Sequence, residues 1–547
     1  MNHAGRWDTL RRPSKSSSFE FGKRAPVLPL IGPTITTRAD LTDLLAPALS
    51  EKPDDLALVS GTTAWSWRDL SGDIDRLATQ LVAMGLLPGA RVASLMPNRG
   101  ELLLHFLACL KAGLVVTPLN YRYTAPEIDY ALGKSGASML FAHAERAADI
   151  KASSLAGDLP YGLISFGGSL DRSERFEDMI ERDVPAVDLP EPEVDAPTFV
   201  FFTSGSTGKP KGVTHSLQSF GSVVASFAQA MVLTSADIVL PGGSLSHVGA
   251  LSTALAALSA GAPVVVAHSA DGDELLPLLR QHRPSILVML PAALIALQHD
   301  HAATGEDFSS LRLCITGGDK FPPNLEKEFT ALTGLSVHET YGMTENPDCL
   351  LNPPDGMIKP GSVGVVCPGY VASVRDEDGQ EVPAETEGRL WMKGAPLTMG
   401  YWGDPAATEN AIQDGWLDTG DVMRVDNDGY FWFRGRKKQI IVHDGSNIAP
   451  QEIEDAVMAH PAVANAGVVG VRDEVHGENV WAYVTLKHDV EKPSSQDIIR
   501  RAREQVGYKA PEVIIVLDEM PLNATGKVDR KRLKEWAAER VAAGHLI

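Results

Sequence analysis

Cysteine is scarce: Cys109, Cys314, Cys349 and Cys367 are the only four in 547 residues, and none forms a Cys-x-x-Cys pair. Neither a zinc centre nor a disulfide framework is indicated, and free thiols in a reducing cytoplasm are expected. Positive charge is short as well, with 49 Lys and Arg against 70 Asp and Glu and a formal net charge of -21. Nucleic-acid binding rests on a basic face, so the balance argues against that class. The deficit is uneven. From Gly435 onward there are 16 basic and 17 acidic side chains, so nearly all the excess lies earlier. The C-terminal part is better able to meet an anion such as a nucleotide or CoA.

Uninterrupted apolar runs of membrane length are also missing. No Asp, Glu, Lys or Arg occurs between Asp237 and Asp271, yet Pro241-Gly242-Gly243 and Gly261-Ala262-Pro263 divide that stretch. The pieces are shorter than the roughly 20 residues a spanning helix needs. They read as a buried helix from about Gly249 and a strand at Val264-Val265-Val266. The first thirty residues lack the apolar core of a secretory signal, so residues 1–40 read as a tail.

What is present is alternation. Amphipathic 70–84, the strand 92–96, the helix 101–112 and the strand at Val115-Val116 argue for parallel α/β layers. Further units are the helix 275–279 with the strand 286–288, and the strand 311–315 followed by Gly317-Gly318. From Gly361 short strands separated by Asp378-Gly379 and Asp428-Gly429 predict a β-rich subdomain. A chain this long divides into domains. The expected boundary is Gly435-Arg436-Lys437-Lys438, giving a large unit over 41–434, a hinge over 435–438 and a small α+β unit over 439–547.

Chemistry is concentrated in three segments. Apolar Phe199-Val200-Phe201-Phe202 reads as a buried strand, and the run Thr203-Ser204-Gly205-Ser206-Thr207-Gly208-Lys209-Pro210-Lys211 after it offers N–H groups, hydroxyls and lysines suited to a polyphosphate. Walker spacing cannot be laid on it. Tyr341-Gly342-Met343-Thr344-Glu345 and Pro521-Leu522-Asn523-Ala524-Thr525-Gly526-Lys527 follow. As an ordered set, the three resemble the adenylate-forming superfamily of acyl-CoA synthetases, adenylation domains and beetle luciferases. The resemblance runs from about Leu41 to Leu533 and includes Leu119-Asn120-Tyr121-Arg122 and Gly400-Tyr401-Trp402. It implies an α/β fold with a small mobile C-terminal domain, and activation of a carboxylic acid by ATP before transfer to CoA.

The resemblance also implies roles. Thr203, Gly205 and Gly208 would belong to an ATP-binding phosphate loop in which Ser204, Ser206, Thr207 and Lys211 hold the β- and γ-phosphates. Glu345, with Thr207, would hold Mg²⁺, which prefers one or two protein oxygens beside phosphate oxygens. Gly318, Asp319 and Lys320 would lie against the adenine with Thr340 and Tyr341 closing the other side, and Gly342 and Thr344 would also bind ATP or AMP. Asp421, in Gly415-Trp416-Leu417-Asp418-Thr419-Gly420-Asp421, would take the ribose hydroxyls, with Arg436 adjacent. Lys527 would bridge the carboxylate and the α-phosphate. His247 would border the acyl pocket, a satisfied core histidine being the equal alternative. Lys438 matches the hinge, and Gly445 with Ser446 the pantetheine tunnel.

Two positions depart from the commonest pattern: Asp319-Lys320 replaces small residues, and Asp444 precedes Gly445 where a second glycine is usual. With no acidic residue between Asp237 and Asp271 to pair an α-amino group, an uncharged acyl chain is expected. Two other readings stay open, an acyl-AMP ligase serving a carrier protein and a nucleotide-binding regulator without chemistry. A homodimer is compatible with the chain.

Overall fold

The computed structural model describes residues 29–543, apart from 36, 184, 204–209, 300, 302, 320, 322, 437–438, 444–445, 474–476, 488–489 and 524–525. Two large mixed sheets dominate the first 370 residues. The eight-stranded sheet runs, edge to edge, Gly400–Tyr401, Lys211–Ser216, Pro197–Thr203, Val115–Pro118, Arg91–Leu95, Met139–His143, Leu163–Phe166 and Ser173–Arg175. The nine-stranded sheet has Leu313–Gly317 and Ile286–Met289 near its middle, with Val337–Met343 beside them.

Their central pairs are parallel, as alternation predicts, because helices of the right length separate the strands. The helices between them are apolar on every side. Gly100–Lys111 buries ten of its twelve residues and Val248–Ser259 eight of twelve, which is the composition of a helix enclosed in a core. One core cluster joins these helices to side chains of both sheets.

Parallel layering is only part of the outcome. Pro197–Thr203 does not cross over; the chain returns as the antiparallel strand Lys211–Ser216, with Lys211 paired to Thr203. The strands on either side of the phosphate-loop segment are therefore antiparallel neighbours. Antiparallel pairing also begins before Gly361, where Asn346–Leu351 turns back on Val337–Met343. A strand expected at 311–315 occupies Leu313–Gly317, because Arg312 is held outside it by Asp237.

The β-rich expectation corresponds to a six-stranded antiparallel sheet that includes Tyr370–Arg375, Glu387–Gly394, Trp416–Val425 and Phe431–Arg436. Its turns at Gly379 and Gly429 have φ of 76° and 84°. After residue 438 a five-stranded sheet forms with the helices Pro450–Met458, Ser495–Val506 and Arg530–Ala542. Its two core clusters contain only residues from 441 onward, so this segment has a core of its own.

Candidate active site

Four of the nine-stranded sheet's residues set the cleft. Gly317 pairs with Thr340 across the parallel strands, so Gly318 and Asp319 leave the sheet beside Tyr341 and Gly342. This is the carboxyl end of parallel strands, where ligands of open α/β sheets bind. Gly318 has φ of 84°, and a Cβ on Gly342 would stand 2.3 Å from the Asp348 nitrogen, so neither position admits another residue without strain. Thr340 donates its hydroxyl to Leu350 O at 2.8 Å. Lys320 lies outside the described residues.

Asp421, 1% exposed, is held from both sides. Tyr341 donates its phenol to Oδ2 at 2.6 Å and Arg436 donates Nε to Oδ1 at 3.0 Å. Burial pushes the Asp421 carboxyl up, opposed by Arg436 and the Tyr341 hydrogen bond. Two lone pairs per oxygen leave acceptor capacity toward a diol. Tyr341 also stacks on Phe433 at 6.2 Å between ring centroids.

The hairpin brings a second charged group. Lys211 Nζ lies 4.6 Å from the Tyr401 ring centroid, and Tyr401 donates its hydroxyl to Glu345 Oε1 at 2.8 Å. Glu345 is 6% exposed, and burial raises its pKa while Tyr401, Arg436 and Lys211 counter the rise. His215 supports the preceding residue, its Nε2 donating to Thr344 O at 2.8 Å. Burial pushes its pKa down to about 4, so the ring is neutral near pH 7. Thr203 and Lys211 flank the loop; Ser204, Gly205, Ser206, Thr207 and Gly208 lie outside the described residues.

Lys527 arrives from the small C-terminal part. Gly526, at φ of 82°, and the bonds Lys527 N to Asn523 Oδ1 and Asn523 N to Lys527 O form its turn. A Cβ on Gly318 would sit 3.6 Å from Lys527 Cε and 3.9 Å from its Nζ. Burial lowers the Lys527 pKa, Asp319 and Asp421 oppose that, and Arg436 and Arg530 reinforce it. His247 caps the helix Val248–Ser259 with its backbone, and its Nε2 is 3.5 Å from Asn120 Nδ2. Burial, then Lys527 and Arg122, push its pKa down to about 4, so it faces the same space as an uncharged ring.

Residues as far as 280 apart in sequence thus converge: His247, Gly318, Asp319, Asp421, Arg436 and Lys527 share one cleft, with Glu345 and Lys211 connected to it through Arg436 and Tyr401. Ser446 begins a short strand paired with His443 in the small part, while Lys438 and Gly445 lie outside the described residues. Tyr401 and Asn120 were present in the sequence only as members of less diagnostic stretches. An aromatic directly after a glycine carries no sign of its carboxylate partner 56 positions away.

The AMP-binding enzyme family matches residues 45–402, and the AMP-binding enzyme C-terminal domain matches residues 452–527. A feruloyl-CoA synthase of Amycolatopsis sp is 34% identical over 485 residues, 87% of this chain and 94% of that protein. The long-chain-fatty-acid–CoA ligase FadD13 of Mycobacterium tuberculosis is 32% identical over 84% of this chain and 91% of its own length. The crystal structure of the anthranilate CoA ligase AuaEII with anthranoyl-AMP superposes with a TM-score of 0.86 at 26% identity, covering 92% of this chain and 98% of that one. The chain belongs to the AMP-binding enzyme family.

Proposed function

We propose that this chain joins CoA to an acid whose acyl part is uncharged, using the cleft between its large and small parts for both half-reactions. The chain is an ATP-dependent acyl-CoA ligase that works through an acyl-adenylate. The observation that carries the site assignment is the approach of Lys527 to Gly318, with its charge felt by His247 and itself acted on by Asp421 and Arg436.

In the first half-reaction a carboxylate oxygen attacks the α-phosphorus and pyrophosphate leaves. Two anions must meet, and the Lys527 ammonium offsets their repulsion with three donors in a water-poor setting. Asp421 accepts from the ribose hydroxyls, while Thr340, Tyr341, Gly342, Thr344 and the segment Gly318-Asp319-Lys320 enclose the base. The loop Thr203 to Lys211 holds the leaving phosphates. In the second half-reaction the CoA sulfur attacks the acyl carbonyl carbon and AMP departs, its route passing Gly445 and Ser446 after rotation about Lys438.

Mg²⁺, when bound, neutralises charge on the phosphate oxygens. Glu345 fits it: the carboxylate is buried, Tyr401 engages only Oε1 among the described residues, and a cation would relieve the cost of burying its charge. Thr207 would be the second protein oxygen. His247, neutral and held near Asn120, acts as a wall of the acyl pocket.

No helix among the described residues is long and apolar enough to cross a membrane. Four buried free thiols favour a reducing compartment, and we assign the cytoplasm on that ground. The deciding experiment is an AMP-release screen over short, medium, long and aromatic acids, run with free CoA and with a pantetheinylated carrier. Release with CoA supports the acceptor; release only with the carrier replaces it.

A further inference from the structure

One strand of the eight-stranded sheet anchors two groups that the reaction as described leaves unconnected. Lys211–Ser216 follows the phosphate-loop segment, and the two-residue strand Gly400–Tyr401 lies along its outer edge with Tyr401 opposite Val213. The same strand holds the turn at Glu345. His215 Nε2 donates to Thr344 O at 2.8 Å, Thr398 donates its hydroxyl to Thr214 O at 2.7 Å, and Thr398 N donates to Glu345 O at 2.8 Å. Tyr401 is fixed in turn, because its N–H donates at 2.9 Å to Thr408 Oγ1 in the helix Pro405–Ala411, which Asp404 caps. A carboxylate and a phenol from distant parts of the chain are thus registered to one strand.

Their contact divides one ring between two charges. The Tyr401 hydroxyl donates to Glu345 Oε1 at 2.8 Å, and among the described residues no other side chain donates to that carboxylate. The face of the same ring carries the Lys211 ammonium, 4.6 Å from its centroid. Lys211 acts on Glu345 through its field, yet no ion pair joins the two among the described residues. The ring takes the ammonium and the hydroxyl takes one carboxylate oxygen, so neither charge is used up on the other. A carboxylate turns readily about its last side-chain bond, since that torsion is broad. A donor on Oε1 fixes the plane of the group and with it the direction of Oε2. Mg²⁺ demands near-ideal octahedral geometry, so that direction matters.

We propose that Tyr401 is a positioning residue for adenylation: by holding Glu345 Oε1 and keeping Lys211 on its ring, it leaves Oε2 presented to the Mg²⁺ that accompanies ATP and Lys211 free for phosphate. The inference rests on the reading of Glu345 as the Mg²⁺ ligand. Tyr401 acts through Glu345 and not on the reacting atoms. Ligating carboxylates are oriented by hydrogen bonds of this kind, and losing one costs about tenfold to a hundredfold in metal affinity.

The test is ATP titration of the folded protein in EDTA and at a series of Mg²⁺ concentrations, with no acid present so that nothing turns over, for wild type, Tyr401→Phe and Glu345→Gln. Tyr401→Phe keeps the ring beneath Lys211 and removes only the donor. It should raise the Mg²⁺ concentration that gives the half-maximal gain in ATP affinity by roughly tenfold to a hundredfold, with a much smaller change in EDTA. Pyrophosphate exchange by the same variant should recover as Mg²⁺ is raised, which a site loosened in general would not do. A Mg²⁺ requirement equal to wild type in Tyr401→Phe while Glu345→Gln raises it, or an ATP affinity that falls equally with and without Mg²⁺, would overturn the inference. A Mg²⁺ requirement that Glu345→Gln leaves unchanged, or no gain from Mg²⁺ in wild type, would instead overturn the metal-ligand reading on which it stands.

Discussion

The large and small parts of the molecule hold their site residues in opposite ways. In the large part each buried acid is already engaged: Asp421 by Tyr341 and Arg436, Glu345 by Tyr401. That part is a preformed cradle, because an unengaged buried carboxylate would cost several kcal/mol, on the order of what a buried polar group loses without partners. In the small part Lys527 projects out of its own unit into the other's cleft, from a turn fixed by local bonds and by Arg530, whose guanidinium forks onto Glu454 at 2.8 and 2.6 Å. On the proposed roles, what must persist through both half-reactions is built in, and what serves only one is delivered on a separate core. The difference predicts which substitutions damage one half-reaction and which damage both.

The largest effect should come from the delivered residue. Lys527→Ala should reduce pyrophosphate exchange on the order of a hundredfold to a thousandfold, the scale of losing one transition-state charge partner. Thiolation of supplied acyl-AMP should stay near wild type. Exchange at the wild-type rate would show that Lys527 has no part in adenylation and would remove the basis of the contrast.

Much of this was legible in the sequence, and the part that was not has a physical reason. Strands and helices of the first 360 residues follow their apolar pattern, and Lys527, Asp421 and Glu345 stand in segments picked out by their resemblance to the adenylate-forming superfamily. Long-range partners are different. No segment between Asp237 and Asp271 carries an acid, so that stretch reads as uncharged, yet Asp348 reaches Ser252 from 96 positions away. Ser252 alone reads as an ordinary helix serine. The hairpin return at Lys211 was hidden for a similar reason, since a Ser/Gly run gives no sign of the direction of the strand that follows it.

Next in size is the preformed cradle. Asp421→Ala should weaken ATP binding roughly tenfold to a hundredfold and acid binding much less, because a ribose diol loses a charged acceptor. Both half-reactions should suffer, since the adenylate carries the same ribose. Measured by nucleotide titration of folded protein, unchanged affinity would deny Asp421 this role. Tyr341→Phe probes the same carboxylate more gently: it removes one of the two groups holding Asp421 and should move affinity in the same direction by less.

The smallest effect should lie where the two parts touch. Gln451 Nε2, in the helix Pro450–Met458, is 3.5 Å from Asp319 Oδ1, and the Asp319 charge acts on both Lys527 and Arg530. Asp319 is partly exposed and the hydrogen bond is long, so its contribution belongs to the range of surface pairs, about 0.2–1 kcal/mol. Asp319→Asn keeps the shape and removes the charge. On the proposed rotation about Lys438 the contact forms only with Lys527 in the cleft, so the variant should slow pyrophosphate exchange by about twofold to fivefold, matching that energy range. Thiolation of supplied acyl-AMP should be unchanged or slightly faster. The loss should shrink as salt is raised, since a partly exposed charge is screened within about 10 Å at 0.1 M. Equal slowing of both half-reactions, or a loss insensitive to salt, would mean that Asp319 acts on the base-binding segment it belongs to and not on delivery of the small part.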